Sequence, residues 1–232
     1  MLLFSNMKGI LYIVATPIGN LEDITFRAVR ILKEVDIVLC EDTRVSAKLL
    51  AKYEIKKSLR RFDAHSSESG RQAIVELLRE GKKIALVTDA GTPGISDPAS
   101  LLVEDIRREE NEIKIIPIPG ASALTAALSA SGVPASDFLF LGFLPHKKGR
   151  QTLMKEIGKS EHVVVFYESP HRILKALAEL ALVVPERKIT IARELTKIYE
   201  EYLAGTPQEM AKILTERPEK QKGEFVVIVS PK

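Results

Sequence analysis

Short apolar runs alternate along the chain with segments in which apolar residues recur at every third or fourth position. The runs are typical of buried strands and lie at residues 10–15, 36–41, 83–89, 113–118, 138–143, 162–168, 188–194 and 224–230. The periodic segments predict amphipathic helices, among them residues 23–35, 68–81 and 97–110. This alternation is typical of an α/β protein whose βα units surround a largely parallel sheet.

One segment interrupts this pattern near the middle of the chain. "PIPGASALTAALSASGVP", residues 117–134, has no charged residue and has prolines near both ends. About 115 residues lie on each side of its start, and a segment of that length buries an adequate core. We therefore predict two α/β domains, over residues 1–117 and 118–232.

Composition excludes some functional classes. With 45% hydrophobic and 28% charged residues the chain is expected to be globular rather than disordered. A net charge of +3 permits a nucleic-acid partner without establishing one. No apolar run approaches the roughly 18 residues of a membrane span. The single cysteine, Cys40, excludes an internal disulfide and agrees with a cytoplasmic location.

Three loops that follow predicted strands combine glycine with proline: residues 15–20, 89–98 and 117–123. In open parallel sheets, ligands bind beyond the carboxyl ends of the strands. Glycine lets backbone N–H groups approach a ligand closely, and proline limits the flexibility of the loop. Ordinary tight turns have the same composition, but three such loops at strand ends favour a ligand held by main chain.

The missing motifs narrow the identity of this ligand. The chain has no G-x-x-x-x-G-K-[ST] motif for a nucleoside triphosphate and no G-x-G-x-x-G after its first strand for a dinucleotide. A ligand with a carboxylate, a ribose and an adenine-like ring but no phosphates remains, and S-adenosylmethionine fits. The backbone around Gly91 and the predicted helix start near Asp97 would hold the carboxylate, and Asp89 or Asp97 would accept from hydroxyl or amino groups.

Eight segments, in order, resemble the motifs of one family: "LYIVATPIGNLEDIT", "EDTR", "DAGTPGISDP", "PGASALTAALSASG", "GFLPHKKGR", "FYESPHRI", "ARELTKIYEE" and "KGEFVVIV". The chain resembles the tetrapyrrole methylase superfamily, the class III S-adenosylmethionine methyltransferases, and within it the small-subunit ribosomal RNA cytidine 2′-O-methyltransferases. The resemblance implies two α/β domains with the cofactor in the cleft between them. It further implies methylation of a ribose 2′-hydroxyl of a cytidine in 16S ribosomal RNA, with S-adenosylhomocysteine as the product.

Position by position, the resemblance also implies cofactor-binding residues. These are Pro17, Asp89, Ala90, Gly91, Ile95, Ser96, Asp97, Ser122, Ala123, Phe166 and Gly223. Ala99 departs from the glycine that the family commonly has there. Some members also continue into a C-terminal helical domain that is absent from this sequence, so RNA contacts are expected from the two core domains or from a second subunit of a homodimer. The RNA partner is ribosomal RNA or the assembled small subunit.

Methyl transfer to a hydroxyl needs positioning of the reactants and removal of the hydroxyl proton. The four histidines and the single cysteine show no ligand spacing, so no metal is expected. The candidates for the catalytic groups are Glu168, His171, Arg193, Glu194, Asp42 and His65. We favour Glu168 among the acids because it ends a buried strand, whereas Asp42 is equally suited to cap the helix that follows it. Glu41, which begins the same motif "EDTR", is a competing candidate for the base.

Clustered positive charge predicts where RNA phosphates bind. The candidates are Arg44, His146, Lys147, Lys148 and Arg150. The basic runs at residues 56–61 and 219–224 are equally consistent with solvated faces.

Three other functions stay open. A methylase of a tetrapyrrole or another small molecule would share the cofactor loops, a non-catalytic ribosome-binding factor would share the fold, and a phosphosugar-binding α/β enzyme would not bind S-adenosylhomocysteine. Fold alone does not decide among them.

Overall fold

The computed structural model describes residues 8–63, 66–97, 99–110 and 112–232. Contacts between residues divide the chain into two units, Met1–Ser122 and Ala123–Lys232. Each unit is built on its own five-stranded sheet. In the described ranges, no helix is long and apolar enough to cross a membrane.

The first unit has a fully parallel sheet in the order β3-β2-β4-β1-β5. Its strands are β1 (Ile10–Val14), β2 (Ile37–Cys40), β3 (Ser58–Arg61), β4 (Lys83–Leu86) and β5 (Lys114–Ile118). Its helices are α1 (Phe26–Glu34), α2 (Thr43–Lys52), α3 (Glu68–Arg79) and α4 (Ala99–Glu109), with a short 3-10 turn at Leu21–Asp23. Because the strands are parallel, all of their carboxyl ends lie at one edge, which we call the carboxyl edge.

Alternating side chains give this sheet two buried faces. Tyr12 and Val14 of β1 pack with α1 and α2, whereas Leu11 of the same strand packs with α3 and α4. Polar residues define the helix starts: the side chains of Thr25, Asp42 and Ser67 each accept a bond from an N–H group in the first turn of α1, α2 and α3.

The second unit contains α5 to α8 and a mixed sheet in the order β6-β7-β10-β8-β9. Its elements are α5 (Ala123–Ala130), β6 (Phe138–Phe143), α6 (Arg150–Lys159), β7 (Val163–Glu168), α7 (Ile173–Val183), β8 (Ile189–Arg193), β9 (Glu201–Gly205), α8 (Pro207–Glu216), a 3-10 turn (Pro218–Gln221) and β10 (Phe225–Val229). Helices α6, α7 and α8 share one apolar core with the sheet.

The expectation of a largely parallel sheet is confirmed for the first unit and wrong for the second. Only β6 and β7 pair in parallel there, and β10 runs antiparallel to both of its neighbours. The link from β8 to β9 is the short segment 194–200, which contains no helix. A link of that length joins antiparallel strands, because a parallel pair needs a crossover of a dozen or more residues.

Candidate functional site

Two of the three glycine- and proline-containing loops are joined by main-chain hydrogen bonds. The Thr16 N–H donates to the Gly91 carbonyl at 2.9 Å, and the Gly91 N–H donates to the Thr16 carbonyl at 3.1 Å. The buried Thr16 hydroxyl donates to the Thr88 carbonyl at 3.1 Å. The loops after β1 and β4 are therefore held in a fixed relation by backbone rather than by long side chains.

The third loop, after β5, packs against the other two at positions where glycine leaves room. A Cβ on Gly120 would lie 2.9 Å from the Cβ of Ala15. Gly91 has φ +88°, and a Cβ there would lie 3.4 Å from Ile18 Cγ2 and 3.7 Å from the Ala121 carbonyl oxygen. The Thr92 hydroxyl donates to that same carbonyl at 3.1 Å. The three loops thus form one packed cluster at the carboxyl edge of the first sheet.

The structure places the predicted cofactor residues of the first unit in or beside this cluster. Pro17 and Gly91 are buried, Asp89, Ala90, Ile95 and Ser96 are exposed, and Asp97 and Ser122 are half-buried, as is Ala123 at the start of the second unit. The Asp97 carboxylate accepts the Gly94 N–H at 2.7 Å and the Ala99 N–H at 2.9 Å. Asp97 therefore shapes the turn before α4.

Carboxylates gather around the same loops. The Asp42 N–H donates to Asp89 Oδ1 at 3.0 Å. Burial raises the pKa of Glu41, and the negative charges of Asp89, Asp97 and Asp63 raise it further. These acids suit a ligand with cationic groups and disfavour a phosphate bound directly to the loops after β2 and β4.

Asp42 and Arg44 form a local pair within the same motif. Arg44 Nε lies 3.0 Å from Asp42 Oδ1, and the Arg44 N–H donates to the same oxygen at 2.8 Å. These bonds from Arg44 hold the pKa of Asp42 well below its usual range. Asp42 is thus the helix cap that the sequence offers as its alternative role, and its carboxylate is a weak proton acceptor.

In the second unit Glu168 has the surroundings of a structural carboxylate. Its side chain is 0% exposed, and its Oε1 lies 2.8 Å from Arg172 Nη2 and accepts the Ser169 N–H at 2.8 Å. Its Oε2 lies 3.4 Å from Arg150 Nη1. From the sequence we favour Glu168 as the base, but a carboxylate held between two guanidinium groups away from solvent cannot reach a substrate hydroxyl without disrupting this core.

Arg150 likewise differs from its predicted environment. Its side chain is 4% exposed, with Nε 2.7 Å from Glu179 Oε2 and Nη1 donating to the Pro145 carbonyl at 3.1 Å. A guanidinium so placed has no face for an RNA phosphate. His146, Lys147 and Lys148, which precede it between β6 and α6, are exposed.

Arg193 and Glu194 also have partners within the protein. The buried Arg193 donates to the Lys222 carbonyl at 2.8 Å and lies 3.0 Å from Glu201. Glu194 accepts from Lys197 Nζ at 2.8 Å and from the Glu224 N–H at 3.0 Å. Burial by itself would raise the pKa of Glu194, but these bonds outweigh it and the pKa is lowered. Both residues stabilise the links between β8, β9 and β10.

The remaining predicted residues have varied surroundings. Phe166 is fully buried, and its side chain belongs to the core beneath α6, α7 and α8, so only its backbone could contact a ligand. Gly223 has φ +100°, and a Cβ there would lie 2.5 Å from the side chain of Glu194. His171 is exposed. His65 lies outside the described residues.

The position that we did not favour from the sequence, and that the structure distinguishes, is Glu41. It directly follows the buried strand β2, next to the loop cluster, and it is half-buried with a raised pKa. The signal in the sequence was the same as for Glu168, an acid at the end of an apolar run. The difference lies in the neighbours, which are acids for Glu41 and arginines for Glu168.

Comparisons with known proteins agree with this architecture. Residues 10–211 match the family model of tetrapyrrole (corrin/porphyrin) methylases. A protein of Thermotoga maritima named ribosomal RNA small subunit methyltransferase I is 47% identical, over 97% of this chain and 99% of its own length. Its namesake in Halalkalibacterium halodurans is 48% identical, over 96% of this chain and 76% of its own length.

Solved structures share the fold at low sequence identity. A diphthine synthase has a TM-score of 0.73 and 16% identity, covering 96% of this chain and 90% of its own. The uroporphyrin-III C-methyl transferase of Thermus thermophilus, complexed with S-adenyl homocysteine, has a TM-score of 0.64 and 18% identity, covering 96% of this chain and 97% of its own.

Proposed function

Since the chain belongs to the tetrapyrrole (corrin/porphyrin) methylases, we propose that it transfers a methyl group from S-adenosylmethionine to the ribose 2′-hydroxyl of a cytidine in small-subunit ribosomal RNA. The observation that carries this proposal is its 43–48% identity, over nearly its whole length, to proteins named for methylation of small-subunit ribosomal RNA. The ribose position and the cytidine rest on the resemblance of the eight ordered motifs, from "LYIVATPIGNLEDIT" to "KGEFVVIV", to the cytidine 2′-O-methyltransferases.

The loop cluster of the first unit suits this cofactor. S-adenosylmethionine supplies an electrophilic methyl group on a sulfonium and also carries an ammonium group. Asp89, exposed at the carboxyl edge, provides a carboxylate for cationic or hydroxyl groups, and the exposed residues Ala90 and Ile95 offer backbone groups to the polar edges of a ligand. No arginine or lysine lies within the loop of residues 89–97 to favour a phosphate instead.

Glu41 is the general base that we infer. A base works best when its pKa lies near the working pH, and the raised pKa of Glu41 moves it in that direction. The other acidic candidates are less suitable, because Asp42 and Glu194 have lowered pKa values and Glu168 is enclosed by arginines. His171 is the remaining described candidate, since its ring is exposed.

Replacing Gly91 with alanine is expected to weaken binding of S-adenosylhomocysteine about tenfold, as measured by isothermal titration calorimetry. A positive φ costs a non-glycine residue roughly 1–2 kcal/mol, and at this position the new methyl group also meets Ile18 in the loop cluster. Gly132→Ala is the matched control, because Gly132 has φ +68° with nothing within 4 Å. Equal affinities for the two variants would contradict a cofactor site at Gly91.

Transfer of label tests the function itself. The purified protein is incubated with methyl-labelled S-adenosylmethionine and either unmethylated small ribosomal subunits or a porphyrinogen. We expect label in the ribosomal RNA alone. Label in the porphyrinogen would favour a tetrapyrrole methylase, and binding to subunits without any transfer would favour a ribosome-binding factor.

Assembly and domain organisation belong to the same proposal. We expect a homodimer, which sedimentation equilibrium tests directly, and action on ribosomal RNA or the assembled subunit in the cytoplasm. The domain boundary at residue 117 also stays a prediction, which limited proteolysis can test.

A further inference from the structure

Helix α2 has an unusual charge pattern. Of the eight α-helices in the part of the chain that the structure describes, it alone carries basic residues without any acid: Arg44, Lys48 and Lys52. These three residues follow one another at intervals of four, so they lie on one face of the helix, with a rise of about 6 Å between neighbours. The helix thus presents a line of positive charge.

The adjoining edge strand continues this charge. Lys56 and Lys57 lead into β3, which carries Arg60 and Arg61 and contacts α2. Between residues 43 and 62 the only acid is Glu54, opposite seven cations, although the whole chain has a net charge of only +3. We call these cations the basic edge: Arg44, Lys48, Lys52, Lys56, Lys57, Arg60 and Arg61.

Most of the basic edge lacks partners. Arg44 pairs with Asp42, and Arg61 pairs with Asp63. The other five side chains have no ion pair or hydrogen bond with the residues that the structure describes. Some cations of other helices have an acidic partner one turn away, as in Arg30–Glu34 and Lys212–Glu216, whereas α2 contains no acid that could pair with Lys48 or Lys52. Charged residues on an edge strand also hinder edge-to-edge aggregation of sheets, but that explanation covers Arg60 and Arg61 of β3 and not the cations of α2.

A concavity lies between the two elements of the basic edge. It has a volume of about 720 Å³, and its lining is largely apolar, with two lysines and one acid: Ala47, Leu50, Ala51, Glu54, Ile55, Lys56, Lys57 and Leu59. Apolar surface beside lysines matches a nucleotide, whose base is flat and apolar on its faces and whose phosphate is anionic.

The basic edge begins next to the loop cluster. Arg44 follows Asp42, whose N–H donates to Asp89 at 3.0 Å. A strand of RNA that follows the cations of α2 toward the start of the helix therefore reaches the carboxyl edge, where Glu41 and the loops after β1 and β4 lie.

We propose that the basic edge binds the sugar–phosphate backbone of the substrate RNA, with one unpaired base in the concavity between α2 and β3. This inference rests on the proposed function, since it identifies the partner of the same enzyme. It adds an RNA surface in the first unit to the predicted residues His146, Lys147 and Lys148 of the second.

Two variants with equal charge change test the proposal. The first combines Lys48→Gln, Lys52→Gln, Lys56→Gln and Arg60→Gln, all exposed residues of the basic edge. The control combines Lys33→Gln, Lys82→Gln, Lys83→Gln and Lys114→Gln, exposed residues near the amino ends of strands in the same unit. Each variant loses four positive charges. A difference in RNA affinity between them therefore reports the position of the charges rather than the net charge.

Affinity for unmethylated 16S ribosomal RNA is measured by filter binding from 50 to 300 mM KCl. For the first variant we expect at least tenfold weaker binding at 150 mM and a slope of log K against log salt that is shallower by about 3, since each lost phosphate contact on a single strand removes about 0.7. The affinity of the control variant for the RNA is expected to fall by less than threefold. Both variants should bind S-adenosylhomocysteine as the wild type does.

The proposal would be overturned if the two variants lost RNA affinity equally, or if neither lost any. Loss of binding to phosphatidylserine vesicles with RNA affinity retained would overturn it in favour of a membrane surface. If the fourfold variant does not fold, Lys48→Gln with Lys52→Gln is compared with Lys82→Gln and Lys83→Gln, and half the change in slope is expected. Wild-type protein that binds RNA through this edge but transfers no methyl group would refute the proposed function and leave this inference standing.

Discussion

Glu168→Ala is expected to lower the free energy of unfolding by about 3–5 kcal/mol, because it leaves buried guanidinium groups without their carboxylate. Arg150 is 4% and Arg172 15% exposed, and both contact the Glu168 carboxylate. In the variant, Arg150 would still pair with the carboxylate of Glu179. Arg172 would keep only neutral acceptors, the Leu144 carbonyl and the Ser169 hydroxyl, and would be left without a carboxylate partner. Urea denaturation followed by circular dichroism measures the loss.

The control for this prediction is Glu216→Ala, which removes a solvent-exposed partner of Lys212 and is expected to cost less than about 1 kcal/mol. If Glu168→Ala instead unfolded like the wild type but had lost turnover, Glu168 would act in catalysis and our structural assignment would be wrong. A stability loss of the expected size with cofactor binding retained at low temperature would support it.

Glu41→Gln is expected to lower the turnover number by about 10²–10⁴, the range that general-base catalysis typically contributes, with the affinity for S-adenosylhomocysteine unchanged. In the wild type the rate should fall as the pH drops through the pKa of Glu41, which burial and the neighbouring acids raise above its ordinary value of 4.5. The variant should lack this acidic limb. The measurement is the pH dependence of single-turnover methylation.

The free energy of unfolding gives an independent check on the raised pKa of Glu41. For stability, Glu41→Gln is expected to bring a gain, whereas for turnover it brings a loss. A carboxyl group whose pKa is raised by folding destabilises the native state as the pH rises above its unfolded value, since ionisation then costs more in the folded protein. Glu41→Gln should therefore be more stable than the wild type at neutral pH and equally stable below about pH 4. Turnover that is unchanged in Glu41→Gln and abolished in His171→Ala would contradict the assignment and identify His171 as the base.

The sequence predicts eight of the ten strands that the structure describes, and the two that it misses are edge strands with few apolar residues. β3 consists of "SLRR" and β9 of "EYLAG", and they lie at the outer positions of their sheets. A strand with one neighbour is partly solvated and can therefore lack a continuous apolar run. The edge strands β5 and β6 have such a run and are predicted, whereas β3 and β9 lack one and are not detected by apolar periodicity. The antiparallel position of β10 is equally hidden, because its apolar run would suit a central strand of either direction.

The candidate site also has features that could be predicted from the sequence and features that could not. The loops could be located from composition, because glycine and proline at strand ends report a local requirement of the backbone. The role of Glu168 could not, because Arg150 is brought to it across 18 residues by the packing of α6 against the sheet. Likewise, the raised pKa of Glu41 depends on Asp63, Asp89 and Asp97, which only the parallel sheet gathers at one edge.

The most direct test of the account is the identity of the methylated nucleoside. Small ribosomal subunits that lack ribose methylation are incubated with the protein and labelled S-adenosylmethionine, the RNA is digested to nucleosides, and the products are separated by chromatography. We predict that the label is found in 2′-O-methylcytidine. Label in a base-methylated nucleoside, or in the ribose of another nucleoside, would contradict the proposed reaction even if the protein binds both the cofactor and the RNA.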